Sequence, residues 1–282
     1  MSNFTAIDLS KLPAPKVIES LSYEAIFQDI LNNFLERNPQ YTNLLESDPA
    51  MILLEVAAYR ELLLRNRINE AAKAAMLPYA TGSDLENLAA FYGVKKLEGE
   101  NDDRLRQRTQ LALEGFSTAG PIGAYIFHTL SASSEIKSVS VKSPNPGEVL
   151  VTILSQNGNG IVGQELIDIV YKKLSDEDTR PLTDMVLVQG ARIVNYSIQA
   201  IITIYSGPSS AIVENEARAA LQNFINERHA LGKVVAISGI YDALHVNGVK
   251  KVQLINPAQD IVTSHEEAAY CNNINLSILI DE

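Results

Sequence analysis

Three glycines in the segment "LVTILSQNGNGIVGQELIDIV" have the spacing of a nucleotide-binding turn. Gly158, Gly160 and Gly163 spell G-x-G-x-x-G between a predicted strand and a predicted helix. An acidic residue, Asp184, follows 21 positions after the last glycine. In a dinucleotide-binding fold such glycines let a pyrophosphate approach a helix N-terminus, and the acid binds the ribose. A dinucleotide-binding enzyme that uses this turn is therefore one hypothesis.

Three features of the same segment argue against that hypothesis and favour a flexible turn rich in Asn and Gly. The predicted strand ends near Leu154, so the polar residues "SQN" separate it from the first glycine. Ile167 stands where a small residue usually lets the helix approach the strand. The region before the strand is predicted to be helical and offers no second nucleotide-binding half. We therefore expect no cofactor here and keep the enzyme as the alternative function.

The other reactive residue types form no recognisable catalytic or metal site. The four histidines are dispersed, and none has a partner at a metal-ligand spacing such as H-E-x-x-H. The stretch "HEE" at 265–267 is predicted to be an exposed acidic loop. Cys271 is the only cysteine, which excludes an intrachain disulfide and a cysteine-based zinc site, and we expect it to be buried as a small apolar residue. We predict no catalytic residues, no bound metal and no cofactor.

Composition indicates a globular protein and disfavours nucleic acid and membrane insertion. The 282 residues are 46% hydrophobic and 20% charged, which is ordinary for a folded chain of about two domains. The formal net charge is −11 and no window forms a basic stripe, although phosphate backbones require cations. No window holds the roughly 18 consecutive apolar residues of a membrane-spanning helix, and the N-terminus does not resemble a secretory signal. We expect the chain to fold in a cytoplasm.

The N-terminal part of the chain, up to about residue 118, predicts helices. A first helix over residues 23–37 is capped by Ser22. A second helix of nearly 30 residues begins at Pro49, where the missing N–H costs nothing, and runs to about Leu77.

Two further helices complete this region. A third begins in the segment "GSDLE" (82–86), where Ser83 and Glu86 have capping-box spacing, and ends at Gly93. A fourth lies near residues 102–116, with acidic residues in its first turn. Its arginine-rich stretch "RLRQR" is predicted to be a solvated face or a set of ion-pair partners.

From Pro121 onward, helices alternate with strands. The segments "IKSVSVKSP" and "EVLVTILS" predict two strands joined at the turn "PNPG", and "QELIDIVYKKL" predicts an amphipathic helix. The segment "VNYSIQAIITIY" predicts a long, half-buried strand. A helix near 210–230 is expected to lead to Gly232, a further strand, a short helix and two final strands.

A weak internal repeat organises this second part of the chain. Residues 136–144 match residues 249–257, and a short helical segment with "GAY" or "GIY" precedes each copy. Convergence of a common strand pattern is the alternative. The predicted fold class is α+β, an N-terminal helical region followed by two small α/β sandwich modules. The predicted domains are residues 1–118, 119–190 and 191–282.

The long second helix carries two apolar faces, as if it required two packing partners. Residues spaced at 100° steps along a helix define each face. We predict a candidate assembly interface of eight residues, with Ile52, Val56, Tyr59 and Leu63 on one face and Leu64, Ile68, Ala71 and Ala75 on the other. The arginines nearby are expected to solubilise the outer face and set the register. The alternative is a central helix buried wholly inside one domain.

The sequence resembles the bacteriophage baseplate assembly protein J family. The resemblance is closest in residues 48–94, "DPAMILLEVAAYRELLLRNRINEAAKAAMLPYATGSDLENLAAFYGV". The later segments "FSTAGPIGAYIFHTLSAS", "SPNPGEVLVTILS", "RPLTDMV" and "LGKVV" are similar to the same family in the expected order, so the similarity spans roughly residues 15–280.

The resemblance implies a structural role without catalytic residues. Proteins of this kind are components of the baseplate wedge of a contractile phage tail or a related contractile injection particle. The implied partners are a second copy of the chain, a tail protein I-like wedge partner, adjacent wedges, and hub or sheath-initiator proteins. The implied location is the tail baseplate of the virion, after assembly in the cytoplasm of the bacterial host. A helical adaptor unrelated to tails is a further alternative.

Overall fold

The computed structural model describes residues 7–13, 15–41, 44–117, 120–176, 179, 181, 183–206 and 209–281. The chain divides into two compact units. Within the described residues, a helical unit comprises residues 7–96 and 101–110, and an α/β unit comprises residues 97–100 and 111–281. The domain boundary predicted between residues 118 and 119 falls outside the described residues.

Helices form the first unit, as predicted. A short 3-10 turn, Leu9–Lys11, precedes α1 (Tyr23–Arg37), α2 (Pro49–Ala74), α3 (Gly82–Phe91) and α4 (Asp102–Gly115). Residues 111–115 at the end of α4 belong to the α/β unit. The bounds of α1 are those predicted, because the Ser22 hydroxyl accepts a hydrogen bond from the Ala25 N–H and so caps the helix. None of the described helices has the length and apolar character needed to cross a membrane.

The predicted capping box of α3 is wrong. The N-cap is Thr81 rather than Ser83, the helix begins at Gly82, and the Gly82 N–H donates to the Asp102 carboxylate at 2.7 Å. This bond is the main reason why the pKa of Asp102 lies below its usual value, and the Lys96 ammonium at 3.2 Å lowers it further. A carboxylate that is distant in sequence therefore stabilises the helix start in place of Ser83.

The predicted solvated arginine face of α4 is also wrong. Arg104 and Arg108 are buried, and the Arg108 guanidinium donates to the Lys95 carbonyl. Arg106 donates to the carbonyls of Leu77 and Ala80, at 2.9 and 2.8 Å, in the connection between α2 and α3. The ion-pair part of the prediction is confirmed, because Arg106 also lies 2.6 Å from the Asp103 carboxylate. These guanidinium groups donate to backbone carbonyls of other segments and so link those segments to α4.

The first module of the α/β unit is a three-stranded sheet with two helices packed against it. Its elements are α5 (Ile122–Ala132), β1 (Ile136–Lys142), β2 (Glu148–Ser155), α6 (Gln164–Leu174) and β3 (Met185–Gly190). The strand order is β1-β2-β3, with β1 antiparallel and β3 parallel to the central β2. Buried Val151 and Ile153 of β2 belong to the core of this module.

The second module repeats this architecture. Its elements are β4 (Arg192–Ile204), α7 (Ser210–Arg228), α8 (Ile237–Leu244), β5 (Val249–Asn256) and β6 (Glu267–Ile280). The strand order is β5-β4-β6, again with one antiparallel and one parallel neighbour of the central strand. Alternate residues of β4, including Ile198 and Ile202, belong to the same buried core as Leu221 of α7. The strand predicted after Gly232 is reduced to a single bridge between Val235 and Ile261.

The two copies of the internal repeat occupy equivalent positions in the two sheets. The two matched segments form β1 and β5, and each is an edge strand antiparallel to the central strand of its sheet. Each follows a short helix, α5 or α8, that packs against it. The predicted α+β class with two small α/β modules is therefore confirmed.

Candidate assembly interface

One side of α2 is anchored inside the helical unit. Ala58 is fully buried and Asn69 is 5% exposed. The Asn69 side-chain amide donates to the Glu19 carbonyl at 2.9 Å, and its oxygen accepts from the Glu19 N–H at 3.0 Å. This pair of hydrogen bonds satisfies both polar ends of a buried amide and fixes which side of the helix faces inward.

The opposite side of α2 is an exposed apolar surface. All eight residues of the predicted interface are exposed, including Leu64 at 60% and Ile68 at 62%. Leu53, at 69%, belongs to the same surface although the prediction does not include it; the same 100° periodicity places it beside Leu64. Only Ala58 and Asn69 of the described α2 residues are buried. The helix is therefore not enclosed within a single domain, contrary to the alternative considered from the sequence.

The exposed surface consists of two apolar strips that a row of arginines separates. At about 100° per residue, Ala58 and Asn69 point in nearly the same direction, and the apolar residues fill roughly the opposite half of the helix. One strip contains Ile52, Val56, Tyr59 and Leu63, and the other contains Leu53, Leu64, Ile68, Ala71 and Ala75. Arg60 and Arg67 lie between the strips. We define all of these residues together as the α2 surface.

The arginines of α2 differ in whether a described carboxylate lies close to them. Arg65 lies 2.7 Å from the Glu61 carboxylate and 3.6 Å from that of Glu19, so it forms ion pairs on the anchored side. Arg60 and Arg67 have no carboxylate within ion-pair distance among the residues that the structure describes. A protein that covers the α2 surface would gain from placing carboxylates opposite these two arginines.

The apolar area of the α2 surface would stabilise a complex in which another protein covers it. Full burial of a Leu or Ile side chain contributes about 1.5–3 kcal/mol, so burying the exposed half of one such residue contributes about 1 kcal/mol. Six large apolar side chains of the predicted interface are more than 40% exposed: Ile52, Val56, Tyr59, Leu63, Leu64 and Ile68. Contiguous exposed surfaces of this kind are typical of protein–protein contacts.

The glycine-rich turn, by contrast, is packed against the protein itself. Gly158 and Gly160 adopt positive φ angles of 59° and 94°. The Gly160 N–H donates to the Asn157 carbonyl, and its own carbonyl accepts from the Ser155 N–H. A Cβ on Gly160 would lie 2.4 Å from Cδ1 of Leu154 and 3.1 Å from Nε2 of His229. The Gly160 N–H, one of the donors that a phosphate at this turn would use, is therefore engaged within the turn.

The acidic residue of the apparent motif is also engaged elsewhere. The Asp184 carboxylate accepts a hydrogen bond from the Tyr125 hydroxyl at 2.8 Å, which ties the start of β3 to α5. Gly163 is the N-cap of α6, with an ordinary negative φ. Within the described ranges, no three His, Cys, Asp or Glu side chains are grouped as metal ligands would be. Cys271 is half-buried, and its thiol donates to the Asn273 carbonyl.

The contact between Lys137 and His229 is not among the features predicted from the sequence. These residues are 92 positions apart, and Lys137 Nζ lies 3.1 Å from His229 Nδ1. Burial is the main cause that lowers the pKa of His229, and the Lys137 charge lowers it further. No local signal in the sequence predicts this pair, because each residue lies in a different module.

Comparison with known proteins identifies matches along most of the chain. Residues 46–103 match the Baseplate J-like N-terminal domain, 117–190 match the Baseplate J-like central domain, and 196–277 match the Baseplate J-like protein C-terminal domain. Baseplate protein J of Escherichia phage P2 is 39% identical to this chain over an aligned length of 287 positions, and the alignment covers 94% of this chain and 95% of the phage protein.

Proposed function

This chain belongs to the Baseplate J-like family and is a structural component of a phage baseplate, and we propose that the α2 surface is where it joins its neighbours in a tail wedge. The observation that carries this proposal is the exposure of a long apolar helix face opposite the buried Asn69 anchor. When another protein covers a face of this size, apolar area is removed from water and the complex is stabilised.

Two partners fit the two strips of the α2 surface. A helix in a bundle contacts neighbouring helices along separate seams, and the small residues Ala71 and Ala75 on one strip permit close approach. We assign the partners as a second copy of this chain and a tail protein I-like wedge protein. Arg60 and Arg67 between the strips favour partner helices with acidic residues at the matching positions.

The remaining parts of the proposal concern the rest of the chain and the particle. Residues 1–118 form the assembly region, and the modules at 119–190 and 191–282 contact adjacent wedges and hub or sheath-initiator proteins. The particle is a contractile phage tail or a related contractile injection device, assembled in the bacterial host cytoplasm. Some contacts between subunits change when the tail contracts. The interfaces involved should therefore be of moderate size, so that the subunits can pack in one arrangement before contraction and in another after it.

A double substitution on the α2 surface tests the assembly role. Leu64→Asp together with Ile68→Asp places two carboxylates on one strip, where both side chains are mostly exposed. The isolated chain should therefore keep its far-UV circular dichroism and melting temperature. Co-expression with the tail protein I-like protein and size-exclusion chromatography should show loss of the complex, since a buried carboxylate without a partner is strongly unfavourable.

The matched control places two carboxylates four residues apart on α1, away from the α2 surface. Gln28→Asp with Asn32→Asp changes an exposed polar pair on α1 and should leave the complex intact. Unfolding of the isolated Leu64→Asp, Ile68→Asp chain would show that the strip packs internally and would contradict the proposal. A complex that forms as well as the wild type would contradict it equally.

A further inference from the structure

A polar pocket lies between the two modules of the α/β unit, away from the α2 surface. Its volume is about 470 Å³, and side chains from β1, the turn after β2, α7 and β6 line it. The residues that matter for its chemistry are Lys137, Gln156, Asn226, His229, Asn272 and Asn273. We refer to it as the Lys137 pocket.

Among the residues that the structure describes, no negative charge compensates the ammonium group of Lys137. Its described hydrogen-bond partner is Nδ1 of His229 at 3.1 Å, and Nε2 of His229 lies 3.2 Å from the Asn159 carbonyl. This arrangement requires a neutral imidazole that accepts from Lys137 and donates to Asn159. Within the described part of the chain, no carboxylate is within ion-pair distance of Lys137, and its half-burial lowers its pKa. A half-buried cation with only a neutral partner retains a strong preference for an anion.

The lining of the pocket selects for an anion rather than a cation. No acidic residue is among the described side chains that line it, although the chain has 34 Asp and Glu against 23 Lys and Arg. The Asn226 side-chain oxygen accepts from Gln222 at 3.1 Å, which leaves the Asn226 amide N–H groups as donors. The Tyr270 ring packs edge-on against the His229 imidazole with the centroids 5.3 Å apart and holds it in place.

We propose that the Lys137 pocket binds a small oxyanion, with Lys137 as the ionic ligand and the Asn226 amide as a hydrogen-bond donor. The ligand is either dissolved phosphate or a carboxylate, such as an acidic side chain of a neighbouring subunit. Both have oxygen atoms that accept from an ammonium and an amide at once. Binding joins β1 of the first module to α7 of the second and stabilises the junction between them.

The His229 imidazole reports occupancy of the pocket. Carbon–proton correlation spectra of the histidine Cε1 groups are recorded at constant ionic strength while chloride is replaced by phosphate or by acetate. His229→Gln assigns the signal among the four histidines. We expect a saturable shift of the His229 signal in the millimolar range and a higher His229 pKa, because the bound anion offsets the Lys137 charge. Stronger binding of phosphate indicates a dissolved oxyanion, and equal or stronger binding of acetate indicates a carboxylate.

Substitutions distinguish specific anion binding in the Lys137 pocket from general effects of the salt on the protein. Lys137→Met should weaken binding about tenfold or more, the effect of losing one good ion pair, whereas Lys137→Arg should retain it. Lys142→Met removes an exposed cation from the same strand and should change nothing. Asn226→Ala, on α7, should weaken binding about threefold and serves if Lys137→Met does not fold. The absence of a saturable shift with either anion, or an unchanged response in both Lys137→Met and Asn226→Ala, would overturn the proposal.

Discussion

Substitution of the two positive-φ glycines of the turn by alanine should have unequal effects. Gly158 and Gly160 both have positive φ angles, 59° and 94°, at which a side chain is strained. A Cβ at Gly158 meets no atom within 4 Å. A Cβ at Gly160 lies 2.4 Å from Cδ1 of Leu154, which is fully buried in β2. Both substitutions therefore carry a backbone cost, and only Gly160→Ala adds a packing clash.

The expected magnitudes follow from these contacts. A non-glycine residue in the left-handed region costs about 1–2 kcal/mol, and this applies to both variants. Overpacking a filled core costs a further 1–3 kcal/mol or so, and this applies to Gly160→Ala alone because Leu154 cannot move into solvent. We expect Gly158→Ala to lower the free energy of unfolding by about 1–2 kcal/mol and Gly160→Ala to lower it by about 2–5 kcal/mol.

Urea unfolding followed by far-UV circular dichroism measures the difference, since the chain has no tryptophan to report fluorescence. Hydrogen exchange of β2 amides shows whether the loss is located in the first module. Equal destabilisation by the two substitutions would refute the reasoning, because it would mean that the turn does not press against Leu154. A larger effect at Gly158 would refute it more directly.

The remaining predictions concern the anchor of α2, His229 and the glycine turn. Asn69→Ala should lower the free energy of unfolding of the helical unit by about 1–3 kcal/mol, measured in urea, because two hydrogen bonds to Glu19 are lost. The pKa of His229 lies below 6.5 when folded, so its contribution to stability is present above pH 6.5 and is lost as pH falls towards the folded pKa. His229→Gln should reduce this loss in pH-dependent melts, whereas Lys137→Met should raise the His229 pKa in an NMR titration. Millimolar NAD should leave the melting temperature unchanged, and a stabilisation that Gly160→Val abolishes would instead favour the dinucleotide enzyme.

Local chemistry determined most of the element boundaries. Ser22 caps α1 with its own hydroxyl, and the bounds of α6 agree with the amphipathic pattern of its segment. The alternation along β4 places every second residue in the core, as its sequence predicts. Each of these features depends on residues within a few positions of each other, so a periodic pattern and a capping side chain suffice to predict them.

Long-range partners decided the features that the sequence did not predict. The start of α3 depends on Asp102, 20 positions away, and the burial of the α4 arginines depends on carbonyls in other segments. β3 exists because β2 offers it a parallel edge. Hydrogen-bond partners that are distant in sequence leave no periodic pattern. The sequence around one partner does not indicate where along the chain the other partner lies.

The candidate interface shows the same division. The sequence by itself determined that α2 has apolar residues over about half of its circumference, since that follows from residue type and helical period alone. Only the tertiary structure decided that this half faces solvent, because the anchor is a hydrogen-bonded pair between Asn69 and a backbone 50 positions away. A helix with apolar residues on several sides can pack in more than one orientation, and the buried polar group that must be satisfied selects one of them.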